Sequence, residues 1–116
     1  MSPDDLARRA AMWLGDEMDR NLPAAVEARV QAGSTAPQRF EPATTIALAA
    51  LILSAAKFAW DIYRDIKKDS KATPAREVIA RRMRLELNVG EELNSEQSDR
   101  VIAVVVDELM NDPPAA

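Results

Sequence analysis

The sequence predicts an all-α fold of four to five helices around one long central helix, residues 43–69. Two observations carry this. Residues 42–56 read PATTIALAALILSAA without a charge and continue as KFAWDIYRDIKKD, where apolar residues recur every three to four positions, as on one face of a helix. On either side, shorter stretches with the same period lie between prolines, glycines and Ser/Thr/Asn residues placed as helix starts and stops. The chain divides accordingly into an N-terminal helical segment with a proline-rich loop (1–42), the long helix (43–69) and a C-terminal helical pair (70–116).

The first helix opens on Ser2 as N-cap and Pro3 at the first helical position, with Asp4 and Asp5 where the helix dipole favours negative charge. Leu6, Ala10, Trp13, Leu14 and Met18 form its apolar stripe, opposite Arg8, Arg9, Asp16 and Asp19, and Pro23 closes it near Asn21. On this pattern Trp13 is a core anchor. A second short helix, PAAVEARVQ, carries proline in its first turn and ends at Gly33, and GSTAPQRFEP is a linker.

The long helix, roughly 40 Å at 1.5 Å per residue, is apolar on every face up to Ala56. Beyond Lys57 it becomes amphipathic, with Phe58, Ala59, Ile62, Tyr63 and Ile66 on one side and Asp61, Arg64, Asp65 and Lys68 on the other. One seam runs through both halves: Leu48, Ile52, Ala55, Ala59, Ile62 and Ile66 alternate steps of four and three, and the two alanines permit close backbone approach.

Residues 70–72 break the pattern, and Thr73 with Pro74 signals another start. The stretch PAREVIARRMRLELN is predicted helical from its cap and its strong helix formers, although Met83, Leu85, Leu87 and Val89 also alternate with polar residues at the period of a strand. Gly90 ends it. Ser95 caps the last helix, SEQSDRVIAVVVDELM, whose VIAVVV centre is β-branched enough to make strand the alternative, and Asp112, Pro113 and Pro114 stop it.

Composition excludes whole classes of function. At 116 residues the chain has room for one small domain, or for one membrane helix with short flanking modules. A net charge of −4 gives no basic field for nucleic acid, so no nucleic-acid partner is expected. With no cysteine there is no disulfide and no thiolate metal site. With no histidine the commonest general base and metal ligand are also missing, so neither an enzyme nor a cofactor or metal site is expected. MSPDDLARRA begins acidic and lacks a signal-peptide core, so the mature protein is expected to start near Met1. Arginine outnumbers lysine and alanine is abundant, a composition pointing to a GC-rich bacterial genome.

Fifteen uncharged residues lie between a core helix and a membrane span in length. Ile46, Leu48, Leu51, Ile52, Leu53 and Phe58 each favour insertion by about 0.3 to 0.6 kcal/mol, against about 2.5 to 3.5 kcal/mol for a lysine at mid-membrane. Insertion is then favourable with Lys57 near an end, its stem reaching the headgroups. Trp60 and Tyr63 would form the aromatic belt, and Arg64, Lys67, Lys68 and Lys71 would meet anionic lipid on the cytoplasmic side, placing the N-terminus outside. This flank tips the sequence reading toward a membrane-associated anchor or adaptor, self-associating through the seam, whose cytoplasmic C-terminal pair is presented to a protein partner. The alternative is a soluble, cytoplasmic helical bundle that buries the same helix as its core and assembles through it.

Other candidates are explained more simply. Arg76, Arg81, Arg82 and Arg84 could touch phosphates in a helix-turn-helix arrangement, but they also pair with Glu77 and Glu86 on a solvated helix face. Asp16, Glu17 and Asp19 lie on different helical faces and lack the spacing of a calcium loop. Ser54 three residues before Lys57 is the one nucleophile–base pair worth naming, and no oxyanion donors accompany it. The layout as a whole resembles small bacterial proteins in which one hydrophobic helix with a basic juxtamembrane end joins short helical modules, as in membrane-linked components of defence or injection systems. The resemblance is one of layout and implies no residue roles.

Overall fold

Ser2 starts the first helix as its sequence predicts. Its Oγ accepts from the Asp5 backbone N–H and its own N–H donates to Asp5 Oδ2, each at 3.2 Å, a reciprocal cap. In the computed structural model, which describes residues 2–32, 43–70, 73–87 and 93–114, this is α1 (Pro3–Glu17), followed by α2 (Leu22–Ala32), α3 (Ala43–Ser70), α4 (Arg76–Glu86) and α5 (Ser95–Asn111). There is no strand among the described residues. The expected 33–42 linker, the Gly33 and Gly90 stops and Lys71 lie outside them.

Three helix boundaries differ from the sequence reading, each for a local reason. Helix α1 ends at Glu17, short of Asn21. The Leu14 carbonyl accepts from both Met18 and Asp19 N–H, and Asp19 Oδ1 accepts the Asn21 N–H at 3.0 Å, so side-chain hydrogen bonding outcompetes the next helical turn. Helix α4 begins at Arg76, because Ala75 keeps an extended backbone (φ −74°, ψ 143°) as N-cap while Pro74 is buried. Helix α5 is capped by Asn94 and not by Ser95: the Asn94 side chain accepts from Gln97 N–H at 2.8 Å, and Gln97 Oε1 accepts from Asn94 N–H at 3.0 Å.

Both segments with a strand alternative are helical up to Glu86 and through Val106, and burial shows why. A strand would put Met83, Leu85 and Leu87 on one face. The helix buries Ile79, Ala80 and Met83 and leaves Leu85 outside, 80% exposed. In α5, Val101, Ile102, Val104, Val105 and Val106 are all buried.

Helix α3 is the centre of the fold. Its 28 residues span about 42 Å, close to the full 45 Å length of a molecule otherwise 27 by 24 Å. It packs against each of the other four helices, while α1 pairs with α2, α4 with α5, and α1 with α5. Its inward arc comprises Leu48, Ala49, Leu51, Ile52, Ala55, Ala56, Ala59, Trp60, Ile62 and Tyr63, all buried. Its outward stripe is Ala43, Thr44, Ala47, Ala50 and Ser54 in the first half and Lys57, Asp61, Arg64 and Lys68 in the second. The first half therefore reads as apolar all round only because its outer stripe is made of small uncharged residues.

Polar contacts tie the helices together. Thr45 is completely buried, and its hydroxyl donates to Asp19 Oδ2, joining the start of α3 to the α1–α2 turn. Arg8 bridges α1 to Glu27 of α2 at 2.7 Å, Arg100 bridges α5 to Glu17 of α1, and Arg76 and Arg84 of α4 meet Asp107 and Asp99 of α5 at 2.7 and 3.4 Å. At Gly15, an added Cβ would stand 2.9 Å from Cδ of Pro23, so the glycine is what lets α2 begin so close to α1.

Candidate interaction surfaces

The residues that the sequence marks for membrane or self-association fall into three groups. Leu48, Leu51, Ile52, Ala55, Ala59 and Ile62 are buried within the single chain. Ile46, Leu53, Phe58 and Ile66 are half-buried at the margins of the inward arc, the last three packed against the core. Of the expected interface anchors, Lys57, Arg64 and Lys68 are exposed and Lys67 half-exposed, whereas Trp60 and Tyr63 are 9% and 3% exposed and turn inward. The aromatic pair is thus packed into the protein, while the basic residues flank it toward solvent, with half-exposed Lys67 one turn from Tyr63 on the same side. By length and composition α3 is the one helix among the described residues apolar enough to cross a membrane, and a buried core helix satisfies the same criteria. Ser54 and Lys57 both lie on the exposed face, and no cluster of potential metal ligands occurs among the described residues.

Exposed apolar surface lies elsewhere. Among the described residues the large hydrophobic side chains left open to water are Met12, Trp13, Val78 and Leu85. The expected core anchor Trp13 is a correction: it is 58% exposed, beside Met12 at 65%. The buried arc of α1 is Leu6, Ala7, Ala10, Ala11, Leu14 and Gly15, centred about 110° around the helix from Trp13. Trp13 sits at the border of the stripe and turns outward.

Met12, Trp13 and Pro23 form the apolar floor of a shallow groove of about 710 Å³, rimmed by Arg9, Asp16 and Glu108. Arg9 is neutralised by Asp112 at 3.3 Å. Asp16 and Glu108 have no ion pair among the described residues, so the rim is net acidic. At the α1–α5 contact, hydrogen bonds from Arg100 hold the Glu17 carboxyl below its usual range. Glu27 is lowered in the same way by Arg8, with help from Gln31, and Asp5 by the backbone and hydroxyl of Ser2.

The second patch is on α4. Arg81, Arg82 and Leu85 follow Val78 at three, four and seven residues and share the outward face with it, away from buried Ile79 and Met83. Arg81 has no ion pair among the described residues, and Arg82 reaches Glu86 only at 3.7 Å. This face is apolar at both ends and carries two arginines between them, with exposed Glu77, which has no ion pair among the described residues, at its margin one turn from Arg81. Val78 and Leu85 escaped the sequence reading because it predicts this helix without assigning its inward and outward faces. Counting from buried Ile79 in helical steps would have found both.

No known protein family, curated protein or solved structure matches the chain.

Proposed function

We propose that this protein is a small non-catalytic interaction module, a soluble helical bundle with α3 as its core, that binds other protein through the outer faces of α1 and α4. The observation that carries the reading is the inward arc of α3. Its seam, Leu48 to Ile62, contacts the rest of the same chain, so lipid or a second copy could reach that seam only if the bundle opened. Opening would also uncover Leu6, Leu14, Val26, Val101 and Val105, each 0% exposed, at about 1.5 to 3 kcal/mol per large side chain. Support for a role in binding comes from Trp13 and Met12, since tryptophan and methionine at a water-exposed groove are the residue types enriched at protein interfaces. Support for a non-catalytic role is the absence of cysteine and histidine, together with the solvated positions of Ser54 and Lys57.

A second reading, membrane anchoring through α3, is favoured by the length and apolarity of that helix. Fractionation without detergent distinguishes the two. Full-length protein recovered in the soluble fraction with a cooperative thermal transition is the expected outcome, and recovery only from membranes, with release by detergent, refutes the bundle reading in favour of the anchor.

A further inference from the structure

We infer that the α1 groove of one molecule receives the outward face of α4 from a second copy of the same chain, so that the protein associates head to tail. The inference rests on the proposed role of these two faces as binding surfaces and adds the identity of the occupant. All four large exposed hydrophobic side chains among the described residues belong to these two patches. Among the described residues, the unpaired charges set beside these apolar side chains are opposite in sign: Asp16 and Glu108 stand beside Met12 and Trp13, and Arg81 stands between Val78 and Leu85, with Glu77 at the ridge margin. A helix face with apolar residues seven apart and cations between them suits an apolar groove with an acidic rim, apolar on apolar and charge on charge. The patches cannot satisfy each other within one molecule, because α1 and α4 make no contact and are held apart on α5.

The contact is heterologous: each molecule offers one groove and one ridge, so repeated contacts build open chains or closed rings. Each patch offers only two large exposed hydrophobic side chains among the described residues, whereas a standard stable interface buries roughly 800 Å² per partner. Association is accordingly weak, depends on concentration and weakens with added salt, because the charges at the rim are exposed.

Sedimentation velocity on the full chain tests this, from about 10 µM to about 1 mM. Trp13→Glu removes the groove and keeps the ridge, and Leu85→Glu does the reverse. Both positions are exposed, so both variants should keep the wild-type thermal transition. The wild-type mass is expected to rise with concentration past the dimer, and each variant alone to stay monomeric. An equimolar mixture of the two should form a heterodimer and nothing larger, since one live groove and one live ridge remain. Arg81→Glu, which carries no folding risk at a solvated position, is expected to weaken wild-type association at least tenfold at low salt.

A soluble, folded wild type that stays monomeric throughout overturns head-to-tail association while leaving the bundle reading intact. A mixture that fails to form the heterodimer does the same. A Trp13→Glu or Leu85→Glu variant that still dimerises alone overturns it in favour of a symmetric contact.

Discussion

Ser54→Asp separates a protein core from a lipid-facing span better than any change to the buried arc, because only the outward stripe of α3 differs between the two. Ser54 is exposed and on the opposite side of the helix from Ile52. In the bundle, the new carboxylate stays in water, three residues before exposed Lys57, where the pairing is worth about 0.2 to 0.5 kcal/mol. Serine and aspartate have similar helix propensities. The net change should lie within about 0.5 kcal/mol, a shift in Tm of at most about 4 °C. In a bilayer the same residue lies inside the apolar run, about one turn from the end that Lys57 marks, and costs at most the mid-membrane value of about 2.5 to 3.5 kcal/mol, so that insertion falls by up to about a hundredfold. Ile52→Asp is the reference: its site is 0% exposed, so it loses about 2 to 5 kcal/mol of packing and strands a charge in the core. Against a total of about 5 to 15 kcal/mol, this should abolish the transition. Thermal unfolding followed by circular dichroism at 222 nm without detergent reads both. If Ser54→Asp destabilised the soluble protein as much as Ile52→Asp, or moved a membrane-bound protein into the soluble fraction, the assignment of the α3 faces would be refuted.

Gly15→Ala should lower Tm, with about 1 to 3 kcal/mol of overpacking against the Pro23 ring 2.9 Å away, whereas helix propensity alone predicts a gain of about 1 kcal/mol. The sign is the test, and Pro23→Ala in the same chain should recover part of the loss. Thr45→Val keeps the shape of a completely buried residue but removes its hydrogen bond to Asp19; denaturant titration should show a loss of about 1 to 3 kcal/mol. The pH dependence follows from Glu17, Glu27 and Asp5, whose folded pKa values lie below their unfolded ones. Their contribution is fully present above the unfolded values near pH 4 and is lost as pH falls through the folded ones. Chemical-denaturation midpoints should therefore be flat from about pH 5.5 to 8, where a chain without histidine has no side chain of ordinary pKa to titrate, and should fall in acid. Arg100→Gln should make that fall shallower.

The all-α fold of four to five helices was legible in the sequence because it rests on local physics. Ser2 and Pro3 start a helix wherever it packs, and the steps of three and four from Leu48 to Ile62 mark one face in any environment. That these residues share one packing face was legible; the sequence reading favours lipid or a second copy against it, whereas the chain buries Leu48 to Ile62 against its own helices and leaves Ile66 half-buried. What occupies the other side of that interface was decided only by tertiary structure, since an apolar stripe meets lipid, a second copy or the same chain with one periodicity. Boundaries set by side-chain competition, such as Asp19 ending α1 and Asn94 capping α5, depended on hydrogen bonds between near neighbours that the pattern of apolar residues does not encode. The candidate surfaces were least legible. Trp13 is outside because the buried arc of α1 is centred on Ala7, Ala10, Ala11 and Leu14 and leaves it at the border, and Leu85 is outside because α4 turns Met83 inward. Periodicity tells which residues share a face of one helix, but which arc turns inward is set by the helices packed against it, and that decides which large residues are left to meet a partner.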